Sequence, residues 1–164
     1  MEADVVIEVE PGMRLRPWRA SDLDDLLRHA NDPAVPRGLS DRFPHPYTRV
    51  DGEAFLGGRV VDLSGPVFAI EIEGRACGGI GARPGRGERA IGADFGYWLG
   101  QAWWGQGRMT RVVAAFAPWA MHALSLQRLQ ATVMAFNTAS ARVLQKNGFV
   151  EEGVMRRAVL KNGV

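Results

Sequence analysis

One stretch constrains this chain more than any other. A strand-forming run, Ile91–Leu99, is followed by glycines at 105 and 107 and then by Met109, Val112, Val113, Phe116 and Ala120 at helical spacing. Strand, glycine turn and amphipathic helix in that order force a sharp reversal that leaves the first, unpaired amides of the helix exposed at the bend. Those amides and the positive end of the helix dipole suit an anion, and Arg108 adds a charge at the rim. The bend alone leaves two readings open, a phosphate site and a plain tight turn. Two common phosphate loops do not fit. No Gly-Lys-Ser/Thr follows a first glycine and four spacers, and Thr110 stands where a dinucleotide fingerprint needs its third glycine.

The rest of the chain reads as one globular unit, residues 1–164, at 46% hydrophobic and 23% charged residues. No apolar run is long enough to span a bilayer, and the opening Met1-Glu2-Ala3-Asp4-Val5-Val6 has neither a basic leader nor a long apolar stretch, so a cytoplasmic protein without membrane contact is expected. A net charge of +2 with no long basic run gives nucleic acid no footprint. Cys77 is the single cysteine, which excludes an internal disulfide and a cysteine-based zinc site; it sits in a strand-like stretch and reads as a core residue. His29, His45 and His122 lack the spacing of a metal site, and no metal is predicted.

Along the chain, a strand around Arg14–Pro17 leads to Ser21, a helix cap for Leu23, Leu26, Leu27 and Ala30. The segment Arg42–Tyr47 is loop-like, and Thr48 opens a second helix through Phe55, Leu56 and Val60. Val67–Ile72 and Ala76–Ala82 form a hairpin over a Glu73-Gly74-Arg75 turn. Pro118 should kink or loosen the second half of the helix that follows Gly107. Leu129–Val133 reads as a strand, Asn137 caps a helix over Ala139–Lys146, Asn147-Gly148 stops it, and Phe149 begins another extended piece. The order predicts mixed strands and helices, with an antiparallel start and a βαβα end.

Taken together, several stretches resemble the GNAT superfamily of acetyl-coenzyme A N-acetyltransferases, most closely its RimJ/RimL-type branch. They are Leu15-Arg16-Pro17-Trp18 with Asp22, Pro46-Tyr47, Gly96-Tyr97-Trp98-Leu99, Trp104-Gly105-Gln106-Gly107, Asn137-Thr138-Ala139-Ser140, Gly148-Phe149 and Glu152-Gly153. The resemblance implies an α+β acyl-CoA N-acyltransferase fold: a mostly antiparallel twisted sheet, flanked by helices, with a splay between two parallel strands. It implies acetyl-CoA as cosubstrate, pyrophosphate at Trp104, Gly105, Gln106, Gly107, Arg108, Met109 and Thr110, and pantetheine along the strand carrying Tyr97, Trp98 and Leu99. Asn137 and Ser140 would line the thiol end, and the first two helices would flank the substrate entrance. Three positions depart from the pattern. Ala102 stands where relatives have Arg or Gln, Gln145 where many have tyrosine, and the last strand is missing or supplied by another chain, which admits a homodimer.

On this reading an amine, from a protein N-terminus or a small molecule, attacks the thioester directly, without a covalent enzyme intermediate. Ser140 becomes the candidate acid for the departing thiolate. A carboxylate raised in pKa by partial burial would take the amine proton, with Asp94 first and Glu152 second; a strand-edge turn or ion-pair residue is the alternative for Asp94, and a structural role the alternative for Glu152. His45 and Tyr47 are candidates for substrate contact. Two rival readings stand beside this one: an acyl-CoA sensor with little catalytic activity, and an interaction module in which the G-x-G is only a turn.

Overall fold

A computed structural model describes residues 5–161 and 163; the opening Met1–Asp4 stretch and the closing Asn162 and Val164 lie outside them. Six strands form a single sheet in chain order. They are β1 (Ile7–Glu10), β2 (Met13–Arg16), β3 (Val67–Ile72), β4 (Arg75–Pro84), β5 (Gly92–Leu99) and β6 (Arg128–Gln130). The first five pair antiparallel, and β6 pairs parallel to β5. The helices are α1 (Leu23–Ala30), α2 (Arg49–Leu56), α3 (Arg108–Ala123) and α4 (Thr138–Lys146). Among the described residues no helix is long and apolar enough to cross a membrane.

Residues alternate across β5. Ala93, Phe95 and Leu99 enter the larger core with Val112, Val113 and Phe116 of α3 and Leu144 of α4. Trp98 joins the smaller cluster with Leu26, Ala30 and Tyr47, against which Trp18, Phe43 and Phe55 also pack. Helices α1 and α2 thus serve one face of the sheet, and α3 and α4 the other. Gly79 of β4 makes the smaller cluster possible, because a Cβ there would come within 2.8 Å of the Trp98 indole nitrogen.

A buried ion cluster ties β2, β3 and the entry to α1 together. Arg16, 2% exposed, donates to both Asp22 oxygens at 2.9 and 2.8 Å and to Glu71 at 2.6 Å, while Arg14 pairs with the same Glu71. The Asp22 bonds, helped by Glu71, overcome burial and hold the Arg16 guanidinium above even its ordinary high pKa. Burial alone would raise the Glu71 carboxyl, but the bonds from Arg16 and Arg14 prevail and hold it below its ordinary value.

Several boundaries differ from those expected. Ser21 lies inside a one-turn 3-10 helix, Ala20–Asp22, so α1 starts at Leu23 behind Asp22, whose carboxylate accepts from the Arg19 amide and from Arg16. Thr48 does cap α2, in a reciprocal box with Asp51, but the helix ends at Leu56, short of Val60. The β3–β4 turn is tighter than expected. Glu73 and Gly74 both have positive φ, 52° and 81°, and Arg75 already belongs to β4. Pro118 lies inside α3, which continues to Ala123; Pro118 and Ala114, whose carbonyl loses its donor, are both exposed residues. The strand expected over Leu129–Val133 is cut to Arg128–Gln130, and no strand follows Phe149 among the described residues. The first difference arises where β6 parts from β5.

Candidate active site

The parting of β5 from β6 organises the site. The two strands are in register only over Gly92↔Arg128, Ala93↔Leu129 and Asp94↔Gln130. Beyond Asp94 the Phe95–Leu99 half of β5 keeps β4 on one edge and has no strand on the other among the described residues. Phe95, Tyr97 and Trp98 therefore stand at an opening with an unpaired backbone edge, where an extended polar chain can hydrogen-bond in place of a strand.

The bend after β5 is built as the glycines require. Gly105 and Gly107 hold φ of 79° and 71°, the left-handed region that a side chain disfavours, and Gly107 is the N-cap of α3. No side chain caps that helix. The first regular bond of α3 runs from the Arg111 amide to the Gly107 carbonyl at 3.2 Å, which leaves the amides of Arg108, Met109 and Thr110 for an outside acceptor. The Trp104 indole donates to the Leu99 carbonyl at 2.7 Å and locks the bend to the end of β5. Arg108 stacks its guanidinium 5.1 Å from the Trp103 ring and donates to Gln106 Oε1 at 2.6 Å. Gln101 and Ala102 face elsewhere. With Arg28, His29, Asp32 and Arg75 they line a separate cavity of about 440 Å³ on the α1 side, where burial, assisted by Arg28, lowers the His29 pKa.

Across the opening stands the start of α4. Asn137 caps it, its Oδ1 accepting from the Ser140 amide at 3.2 Å, and Asn147 at its other end donates to the Thr110 carbonyl of α3 at 3.1 Å. The end of α4 is thereby fixed to the start of α3. The Tyr97 hydroxyl from β5 meets Ser140 Oγ at 2.6 Å. Burial raises the Tyr97 pKa, against the opposing bond from Ser140, so the phenol stays protonated near neutral pH. No local sequence signal joins these residues, 43 positions apart; only strand alternation, which points Tyr97 to the α4 side, anticipates the contact.

The candidate bases differ from expectation. Asp94 is exposed at the last β5–β6 pair, and Gln130 donates to its Oδ1 at 2.6 Å. Glu152 is also exposed and forms a two-point ion pair with Arg128, which lowers its pKa, opposite to the shift a base would need. On the Asp94 face, Gly96 leaves open space, since a Cβ at that position would meet nothing within 4 Å. Beyond it Trp98 packs with Phe43 at 5.3 Å and Trp18 at 6.5 Å. Tyr47, buried in this cluster with its amide bonded to Asn31, has a pKa raised to about 12, first by burial and then by Asp51. His45 is exposed in the loop before it. One trough joins Phe43, Tyr47, Asp94, Trp98 and Asn137, whereas the Gly105–Thr110 bend and Ser140 lie outside it. Cys77 is fully buried, and burial lifts its thiol to about 11. Among the described residues no three His, Cys, Asp or Glu side chains gather as a metal site would require.

A mixed sheet whose one parallel pair parts beside a glycine-turned helix is the GNAT fold. Residues 13–150 match the family model described as the acetyltransferase (GNAT) domain. The chain belongs to that family. It is 46% identical over 72 residues to Probable N-acetyltransferase YjcK of Bacillus subtilis (strain 168), a match covering 44% of this chain and 40% of that one. The chain thus spans less than half the length of that relative. It is 29% identical over 156 residues to Uncharacterized N-acetyltransferase p20 of Bacillus licheniformis, covering 88% and 82% of the two chains. RimL, a ribosomal L7/L12 alpha-N-protein acetyltransferase in complex with coenzyme A, superposes with a TM-score of 0.84 over 97% of this chain and 92% of that one, at 22% identity.

Proposed function

We propose that this protein, with residues 1–164 as one domain, transfers an acetyl group from acetyl-CoA to a primary amine by direct attack in a ternary complex. The observation that carries this reading is the parting of β5 from β6 just after the Asp94↔Gln130 pair. It leaves an unpaired strand edge between two helix starts, one of them uncapped. The residues fit the nucleotide thioester: amides of Arg108, Met109 and Thr110 for the pyrophosphate, the edge of Tyr97, Trp98 and Leu99 for the pantetheine amides, and Asn137 and Ser140 for the thiol end.

When bound, acetyl-CoA supplies an activated acyl carbon. The chain's own groups do the rest. A backbone amide of the open β5 edge stabilises developing negative charge on the carbonyl oxygen. Asp94 and Trp98 lie on one face of the sheet and Tyr97 on the other, and the trough at the open edge reaches all three. Asp94 Oδ2, the oxygen not engaged by Gln130, accepts the amine proton directly or through water. Ser140 gives its proton to the departing sulfur, and Tyr97, kept protonated by burial, replenishes it across their 2.6 Å contact. Tyr97 thereby serves where Gln145 leaves α4 without a phenol.

For the acceptor, a protein N-terminus or a small amine both fit an open trough walled by Phe43, Tyr47 and Trp98. RimL's action on a ribosomal protein supports the first. A thiol-release assay with acetyl-CoA across peptide N-termini and small amines tests the proposal, with turnover expected on at least one class. Tight coenzyme A binding with no release on any amine would instead assign a sensor.

A further inference from the structure

On the Asp94 face of the sheet three cross-strand pairs follow one another: Gly79↔Trp98, Gly81↔Gly96 and Arg83↔Asp94. The intervening residues Ile80, Ala82 and Phe95 enter the core on the α3 side. The middle pair has no side chains, so the sheet presents bare backbone between an aromatic end and a charged end. A Cβ at Gly96 would meet nothing within 4 Å, whereas one at Gly81 would touch Val67 of β3 at 3.2 Å. Trp98 and Phe43 wall the aromatic end, and this floor and both its ends line the same trough.

At the charged end, neighbours of opposite sign stand across from each other without pairing. Gln130 engages Asp94 at Oδ1 and leaves Oδ2. The Arg83 guanidinium makes no hydrogen bond or ion pair with a described residue, and neither does that of Arg86, which lines the trough two positions beyond β4. Directly opposed residues have Cβ atoms about 5 Å apart, so their charged heads fall within the span of one small zwitterion. Resting on the acetyl-transfer reading, we propose that the acceptor is a free amino acid with an apolar side chain. Its ammonium meets Asp94 Oδ2, its carboxylate takes the two-point donor face of Arg83, and its side chain lies on the Gly81–Gly96 floor against Trp98. The carboxylate that orients the amine is then the one that removes its proton before attack. A polypeptide N-terminus brings a neutral amide to Arg83 and an alkylamine brings nothing, so the guanidinium discriminates against both.

Calorimetric titration of the full chain in saturating coenzyme A, run beside thiol release from acetyl-CoA, tests this with leucine, methionine and phenylalanine, each against its amide and its decarboxylated amine. For at least one of these, the wild type should bind and turn over the amino acid roughly tenfold or more better than either counterpart. Arg83→Gln should bring that ratio close to one, chiefly through KM. Arg83→Lys should keep part of the preference and Arg83→Glu should invert it. Arg83 is exposed, so the variants should fold, which circular dichroism checks. Thiol release without preference for the carboxylate, or a preference that survives Arg83→Gln, would overturn the inference and leave acetyl transfer standing. Arg83-dependent binding of an amino acid without thiol release would support the zwitterion site and contradict the transfer reading. Neither binding nor release with any of the amino acids would overturn the inference.

Discussion

The two flanks of β5 could hardly be treated more differently. Against β4 it is in register over seven pairs, from Gly78↔Leu99 to Pro84↔Ala93; against β6 it holds three and lets go. The same eight residues are therefore sheet interior on one edge and ligand-ready backbone on the other. The closed flank continues through β3 and β2 to the Arg16–Asp22–Glu71 cluster, where charge is buried and fully paired. The open flank carries exposed or half-buried polar groups: Asp94, Gln130, Asn137 and Ser140. Stability is concentrated on one side of the strand and chemistry on the other, so substitutions should separate the two.

The largest effect belongs to the closed flank. Arg16→Leu leaves the buried Asp22 carboxylate without its cation and Glu71 with Arg14 alone, and should cost about 3–5 kcal/mol of unfolding free energy, read by urea denaturation. The same cluster sets an acid limit. Because the folded-state pKa of Glu71 lies below its unfolded value of about 4.5, its contribution is fully present above that pH and is lost as pH falls through the lower folded value. Melting temperature should therefore drop below about pH 4.5 in the wild type and less steeply in Arg16→Leu.

On the open flank the order of effects reverses. Ser140→Ala should lower kcat by about 10²-fold while moving the unfolding free energy by less than about 0.5 kcal/mol, since general acids contribute at that level and a half-buried serine packs little. Equal losses of stability and rate would erase the distinction between the flanks. Tyr97→Phe keeps the ring in the core and removes one hydroxyl; kcat should fall by roughly tenfold, most visibly with poorly acidic leaving thiols. Smallest is Asn137→Ala, a lost cap worth about 1 kcal/mol in melting, with a modest rise in KM for acetyl-CoA as α4 loosens.

The closed flank was the more legible in sequence. Val67–Ile72 is an apolar run interrupted only by Glu71, and the structure reproduces its ends, because a strand buried on both faces needs no partner to be recognised. Caps at Thr48 and Asn137, the glycine bend and the stop at Gly148 were equally readable, since each satisfies backbone groups within a few residues. What escaped is what depends on partners far along the chain. Leu129–Val133 reads as a strand, but whether it is one is decided by β5, which stays within reach only to Asp94. Nothing in the local pattern around Glu71 marks Arg16 and Arg14 as its cations. The Tyr97–Ser140 contact and the Arg128–Glu152 pair that engages a candidate base left no trace in local pattern.

The central claim is that the main chain at the Gly105–Gly107 bend holds a diphosphate so that a thioester reaches the open edge of β5. Calorimetric titration with coenzyme A, comparing the wild type with Gly107→Val, tests it most directly. A β-branched residue cannot hold the φ of 71° without strain of about 1–2 kcal/mol, which re-aims the amides that follow. The account predicts measurable binding by the wild type and a loss of at least about tenfold in the folded variant. Equal affinity in the two proteins, or no binding by the wild type, would contradict it.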